Sequence, residues 1–142
     1  MNDTTLTPFH LAIPVTDLDS ADAFYCGQLG FSKGRTDTRW IDLNFYGHQV
    51  TLHLVDKSDT DLATNPVDSD QVPARHFGVI LPMPEWQALA DRLVAAGCKF
   101  LIAPKIRFKG EVGEQATMFF FDPSGNALEF KSFADSSQLF AR

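Results

Sequence analysis

Phe9-His10-Leu11-Ala12-Ile13 and His76-Phe77-Gly78-Val79-Ile80 are two versions of one pattern. Each places a histidine at the head of an alternating apolar run, with a small residue two positions on. Alternation of period two marks a strand with one buried face. Working outward from either run, a helix-like segment follows, and then further strand-like runs. The 142-residue chain therefore reads as a repeated half: strand, helix, then about three strands, twice. A single such half cannot bury its own sheet face, so the reading is one domain made of two paired modules.

In the first half, residues 9–15 alternate and end at Thr16-Asp17-Leu18-Asp19-Ser20. Asp19 or Ser20 is the expected cap of a helix beginning near Ala21, with Ala21, Phe24, Tyr25 and Gln28 at helical spacing and Gly30 as its stop. Residues 39–45 form a second strand, Tyr46-Gly47-His48-Gln49 a turn, and residues 50–55 a third strand. Residues 56–75 carry five aspartates with Pro66 and Pro73 and no apolar period, and read as a long connecting loop. The second half follows with a strand at 76–81, a break at Pro82-Met83-Pro84 and a helix at 85–96. Trp86, Leu89, Ala90, Leu93 and Val94 share one face of that helix, and Gly97 ends it. A short strand at 100–103 precedes strands at 117–121 and 127–133, which are joined by Asp122-Pro123-Ser124-Gly125-Asn126, a strong turn sequence. Module one then covers about 8–57, the acidic connector about 58–73 and module two about 74–133.

Composition excludes several function classes. No apolar run approaches the roughly 18 residues of a membrane span. The opening Met1-Asn2-Asp3-Thr4-Thr5 lacks the features of a signal peptide, so a cytoplasmic location without membrane association is expected. A formal net charge of −6 argues against nucleic acid as a partner, because phosphate binding needs clustered cations. The one basic stretch, Lys105-Ile106-Arg107-Phe108-Lys109, reads either as a site-lining loop that attracts an anionic substrate or as a plain solvated loop. Cys26 and Cys98 form no metal or redox motif and read as reduced packing residues.

The chemistry is concentrated on three histidines and a glutamate: His10, His53, His76 and Glu129. By strand parity His10 shares a face with Ala12, His76 with Gly78 and Glu129 with Ala127, while large apolar neighbours point the other way. Small neighbours leave the space that a cavity floor needs. His53 shares its face with Thr51 and Val55, and is read as standing in the first half where Glu129 stands in the second. Each residue alone has an ordinary structural reading. Together they suggest a metal site between the halves, since burying Glu129 among neutral groups calls for a compensating cation. Two histidines and a carboxylate suit iron(II), and also zinc, nickel or manganese.

The residues just quoted resemble the vicinal oxygen chelate superfamily, which includes glyoxalase I, bleomycin-resistance proteins, fosfomycin-resistance enzymes and extradiol dioxygenases. The likeness runs from Pro8 to Phe133. It is carried by His10-Leu11-Ala12-Ile13-Pro14-Val15-Thr16-Asp17-Leu18, by Phe24-Tyr25 with Leu29-Gly30-Phe31, and by Asp122 to Phe130. Gly47-His48-Gln49, with the stretches 106–111 and 113–120, is similar to a branch of small bacterial proteins described as predicted extradiol-type dioxygenases.

The resemblance implies an α+β fold of two βαβββ modules, whose curved mixed sheets enclose a metal-binding cavity. It implies a divalent metal, iron(II) first, held by His10, His76 and Glu129, with His53 as a fourth ligand or an acid/base group. Its glyoxalase branch often has a glutamate where His53 stands. His48 is a further catalytic candidate with the ordinary alternative of an exposed turn histidine, and Tyr46 beside it a candidate proton donor. Phe119 and Phe121 are either a wall for an aromatic substrate or plain core. The implied activity is ring cleavage of a small-molecule substrate such as an aromatic diol. The alternatives are a glyoxalase-like lyase, isomerase or thiol transferase, and a metal-free drug-sequestering protein. The implied assembly is a homodimer, with the site held within one chain or shared across two.

Overall fold

The computed structural model describes residues 6–56, 64–67 and 70–142. The chain divides into two compact units, Met1–Ser58 and Asp59–Arg142. Among the described residues no helix is long and apolar enough to cross a membrane.

In the first unit, β1 (His10–Val15) pairs in parallel with β4 (His48–Leu54), which pairs antiparallel with β3 (Trp40–Phe45), which in turn pairs with β2 (Ser32–Asp37). The alternation predicted for 9–15 is borne out, with Ile13 and Val15 buried and His10, Ala12 and Pro14 exposed. β2 is an addition to the strands expected from apolar pattern, because Ser-Lys-Gly-Arg-Thr-Asp is exposed along its whole length. Such a strand has no buried face to leave a period in the sequence, and its charge suits a sheet edge.

The expected helix from Ala21 takes a different form. α1 (Leu18–Asp22) starts earlier and is capped by Asp17, whose carboxylate accepts from the Asp19 backbone N–H at 3.2 Å, so neither Asp19 nor Ser20 is the cap. A π-helix, Ala23–Gln28, follows, and the Leu29 N–H reaches the Phe24 carbonyl at 2.9 Å. The wider turn brings Phe24, Tyr25 and Leu29 into the core and leaves Gln28 exposed. Gly30 ends the segment with φ 80°, as expected of a left-handed stop.

The second unit begins with a hairpin of β5 (Thr64–Val67) and β6 (Asp70–Pro73), where a structureless connector was expected. Residues 57–63 and 68–69 of that connector lie outside the described residues. Val72 and Pro73 are buried, and the two prolines sit in a two-stranded sheet where each strand has an open edge. The main sheet runs β7 (Phe100–Arg107), β8 (Gln115–Phe121), β9 (Ala127–Phe133), all antiparallel. Residues 76–81 lie parallel to β9 through isolated bridges, Phe77 to Leu128 and Ile80 to Lys131. The order 76–81, β9, β8, β7 therefore repeats β1, β4, β3, β2, and the repeat read from the sequence holds.

Segment 76–81 falls short of a continuous strand, and at Gly78 it approaches β9 closely. A Cβ on Gly78 would fall on the carbonyl group of Glu129. The first unit has Ala12 at the matching position, with a regular ladder from His10 to Val15. Gly78 is thus required by backbone packing, which corrects its reading as space in a cavity floor.

α2 (Met83–Ala95) starts two residues before the expected 85, with Pro84 in its first turn where the missing N–H costs nothing. Trp86, Leu89, Ala90 and Leu93 are buried as expected, and the Trp86 indole N–H donates to the Phe130 carbonyl at 2.9 Å. Val94 lies outside that face and is 58% exposed. The 122–126 turn forms as predicted, with the Asp122 carboxylate accepting from the backbone N–H groups of Ser124 and Asn126 at 2.8 Å each.

Candidate functional site

The second unit brings two of the predicted residues together. His76 Nε2 stands 3.5 Å from Glu129 Oε1, and the other Glu129 oxygen accepts from the Thr117 hydroxyl at 2.7 Å. His76 Nδ1 lies 2.8 Å from the Pro73 carbonyl oxygen. A carbonyl only accepts, so Nδ1 carries the proton, and a neutral ring then presents the Nε2 lone pair to the carboxylate. The ring packs edge-on to Phe119, with centroids 5.0 Å apart.

His76 Nε2 and Glu129 Oε1, facing each other at 3.5 Å, leave a position that a shared cation can take. A proton on Nε2 would make only a stretched bond at that distance. Two ligand atoms about 2.1 Å from one divalent ion, at about 90–110° to each other, stand about 3.0–3.4 Å apart. At 3.5 Å the pair stands just beyond that span and suits a shared metal ion after a small closure, with a backbone carbonyl orienting the histidine and a hydroxyl orienting the carboxylate, as metal ligands usually require. Among the described residues no group of three or more His, Cys, Asp or Glu forms a metal-binding cluster. Glu129 also has a second countercharge, the Lys131 ammonium at 3.7 Å. The carboxylate is therefore not set among neutral groups, which corrects the premise that burial alone calls for a metal.

His76 and Glu129 line a cavity of about 200 Å³ together with Lys105, Arg107, Thr117 and Lys131, with Val72 and Ile102 as apolar wall. Val72 and Ile102 pack with Phe119 and Ala127 in one buried cluster. Phe119 is fully buried beside His76, while Phe121 is 38% exposed. The basic stretch from Lys105 to Arg107 is part of β7, not a loop, because the strand runs past the expected 103. Thr117 and Lys131 escaped the sequence reading. Their signal was parity: Lys131 is two residues after Glu129, and Thr117 two before Phe119, on the same faces.

The first unit holds the other candidates. His10 is in register with Gln49, and His53 with Pro14 on one side and Trp40 on the other. His10 and His53 thus share a sheet face, and both are exposed. The internal registers also show which positions correspond. Phe77 pairs with Leu128, which sets Gly78 against Glu129, and Ala12 pairs with Thr51. The first-unit counterpart of Glu129 is therefore Thr51, and His53 corresponds to Lys131, two residues further on. Thr51 is buried and donates to Asp42 at 2.6 Å, and the same carboxylate accepts from Gln49 at 3.1 Å. Asp42 was not singled out in the sequence, since one aspartate in an alternating strand carries no distinctive signal.

His48 and Tyr46 lie elsewhere. His48 is a strand residue with the parity of Val50 and Leu52, opposite to His53, and its Nδ1 accepts from the Phe9 backbone N–H at 2.7 Å. Tyr46 and Gly47, both with positive φ, make the two-residue hairpin loop, and the Tyr46 ring packs edge-on against Phe31 and Phe45.

The cysteines offer no nucleophile. Burial, and then the Asp22 carboxylate, push the Cys26 thiol up to about 11, and burial raises Cys98 as well. Alkylation by iodoacetamide is expected to be slow at pH 8, with Cys26 accelerating only near pH 11; fast labelling at pH 7 would contradict this.

An extended segment, a helix and three strands, repeated with the same sheet order and with His10 and His76 at the head of β1 and of segment 76–81, define the class of fold. The chain matches the Glyoxalase/Bleomycin resistance protein/Dioxygenase superfamily over residues 7–130 and belongs to that superfamily. It is similar to the crystal structure of a glyoxalase/bleomycin resistance protein/dioxygenase from Alicyclobacillus acidocaldarius. That likeness has 32% identity and a TM-score of 0.78, covering 94% of this chain and 96% of the other. The fosfomycin resistance protein FosX from Listeria monocytogenes shares the fold at 14% identity and a TM-score of 0.64, over 96% and 98% of the two chains. Lactoylglutathione lyase from Agrobacterium tumefaciens does so at 14% identity and a TM-score of 0.64, over 99% and 100%. No functionally curated protein matches the chain by sequence. The superfamily includes metalloenzymes and also non-enzymatic members, and its members bind small molecules.

Proposed function

We propose that this protein is a metal-dependent enzyme whose small substrate binds through two neighbouring oxygens, with extradiol-type ring cleavage of an aromatic diol as the reaction. The observation that supports this best is the His76–Glu129 pair, whose facing lone pairs 3.5 Å apart suit one shared cation. His10 is proposed as a further ligand, and His53 as a fourth ligand or an acid/base group. A divalent ion, iron(II) first, supplies Lewis-acid charge and a template for adjacent oxygens when bound. The chain's own groups do the rest. Pro73 holds the proton on His76 Nδ1, Thr117 holds one oxygen of Glu129, and Phe119 sets an apolar edge beside the ring of His76.

Elemental analysis of protein purified without oxygen tests the reading, with His10→Ala and His76→Ala variants beside it. Stoichiometric iron in the parent, lost in both variants, with oxygen uptake on a catechol panel, is the expected result. Zinc, nickel or manganese with turnover of a thiol–aldehyde adduct would replace it by a glyoxalase-like reaction. Metal neither retained nor regained would leave a metal-free binding protein. That second reading is favoured by Lys131, which already stands 3.7 Å from Glu129.

A further inference from the structure

Two nitrogens approach the same oxygen of Glu129. His76 Nε2 lies 3.5 Å and Lys131 Nζ 3.7 Å from Oε1, while Oε2 accepts from the Thr117 hydroxyl at 2.7 Å. Strand register builds this arrangement. Thr117 pairs with Lys131 across β8 and β9 and with Lys105 across β7 and β8, so the three stand in one cross-strand row. Glu129 precedes Lys131 by two residues on the same face and pairs with Phe119. Its carboxylate is therefore diagonal to Thr117 and alongside the lysine, and Thr117, Glu129, Lys131 and His76 all line the one cavity.

The two oxygens are thereby distinguished. Oε2 is engaged by a hydrogen bond that fixes the carboxylate plane, and Oε1 is turned towards His76. A cation shared by His76 and Glu129 has to approach Oε1, and the Lys131 ammonium already stands on that oxygen. At 3.7 Å the ammonium is beyond hydrogen-bond length, so it acts by charge. The Glu129 side chain is only 12% exposed and that of Lys131 is 36% exposed. The carboxylate is thus shielded from water, whereas the ammonium has a flexible four-carbon stem and solvent to move into.

We infer that Lys131 is a positioning residue that competes with the divalent ion for Glu129, which rests on the functional reading above for the His76–Glu129 pair. Its ammonium neutralises Oε1 in the metal-free protein and gives way when a metal ion is taken up. Lys131 in this way lowers the metal affinity of the site.

The test titrates chelator-treated protein with manganese(II) and with zinc, each alone, at low and high salt. Free manganese(II) is followed by electron paramagnetic resonance and zinc binding by calorimetry. Manganese(II) stands low in the affinity order, so a modest gain is readable. Lys131→Met removes the charge and keeps most of the stem. It is expected to bind both ions about fivefold more tightly than the parent, and Lys131→Arg within about twofold of the parent. The gap between Lys131→Met and the parent should narrow as salt rises. Adding His76→Ala to Lys131→Met should abolish the gain, which ties it to this pair. A purely structural lysine would show as a lower melting temperature in Lys131→Met, without tighter metal binding. Metal bound by Lys131→Met and not by the parent would support the competition while removing the metal-dependent reading of the parent. Equal or weaker binding in Lys131→Met beside a metal-binding parent would overturn the competition alone. So would a gain as large in Lys131→Arg, or one that survives His76→Ala. Binding by neither protein would overturn both.

Discussion

Gly78→Ala is expected to lower stability by about 3 kcal/mol, a fall in Tm of about 10 °C for a chain of this size. A methyl group there meets the carbonyl of Glu129, which is main chain and has no rotamer with which to move aside. Segment 76–81 and β9 must therefore separate. Their separation weakens the bonds from the Glu129 N–H to the Phe77 carbonyl at 2.9 Å and from the Lys131 N–H to the Val79 carbonyl at 3.1 Å. Because His76 is on one of these segments and Glu129 on the other, the 3.5 Å pair opens as well. Loss of bound metal should accompany the fall in Tm even where the variant stays folded. The first unit tolerates alanine at the matching position, Ala12, so the effect belongs to this one close approach and not to the fold in general. A melting temperature within about 2 °C of the parent would contradict the packing described here.

Glu129→Gln is expected to strip the metal while leaving the fold in place. The amide keeps the shape of the side chain but loses the charge, so affinity for a divalent ion should fall more than about 100-fold, beyond the usual cost of losing a supporting contact. The same change removes a carboxylate lining the cavity and releases Lys131, which stands 3.7 Å from it. The amide oxygen still accepts from the Thr117 hydroxyl, so the melting temperature of the metal-free variant should stay within about 4 °C of the metal-free parent. Damage to the fold would lower metal affinity and melting temperature together, so the two readouts separate loss of a ligand from loss of structure. Metal analysis and thermal melting on one preparation measure both. Retained metal would remove Glu129 from the ligand set, and a large fall in melting temperature would make its carboxylate a structural group.

Several elements were legible because the signal lies within a few neighbouring residues. The alternation of 9–15, the apolar face of α2 through Trp86, Leu89, Ala90 and Leu93, and the Asp122 turn all appear where local pattern puts them. The exposed strand β2 and the hairpin of β5 and β6 were not legible, since polar or proline-bearing edge strands carry no apolar period. The π-helix was missed because a helix with five-residue spacing buries Phe24 and Leu29 together, and the ordinary period does not anticipate that.

The candidate site divides in the same way. Sequence alone determined that the chain repeats one pattern, with a histidine at the head of each half, and that Glu129 lies on the last strand of the second. Those facts depend on neighbours along the chain, where side-chain alternation and turn chemistry are written locally. Tertiary structure alone decided that Thr51, not His53, corresponds to Glu129, that Gly78 exists to admit the Glu129 backbone, and that Lys105, Thr117 and Lys131 stand in one row. Each of these follows from register between strands, and register joins residues distant in sequence through backbone hydrogen bonds that every residue type makes alike.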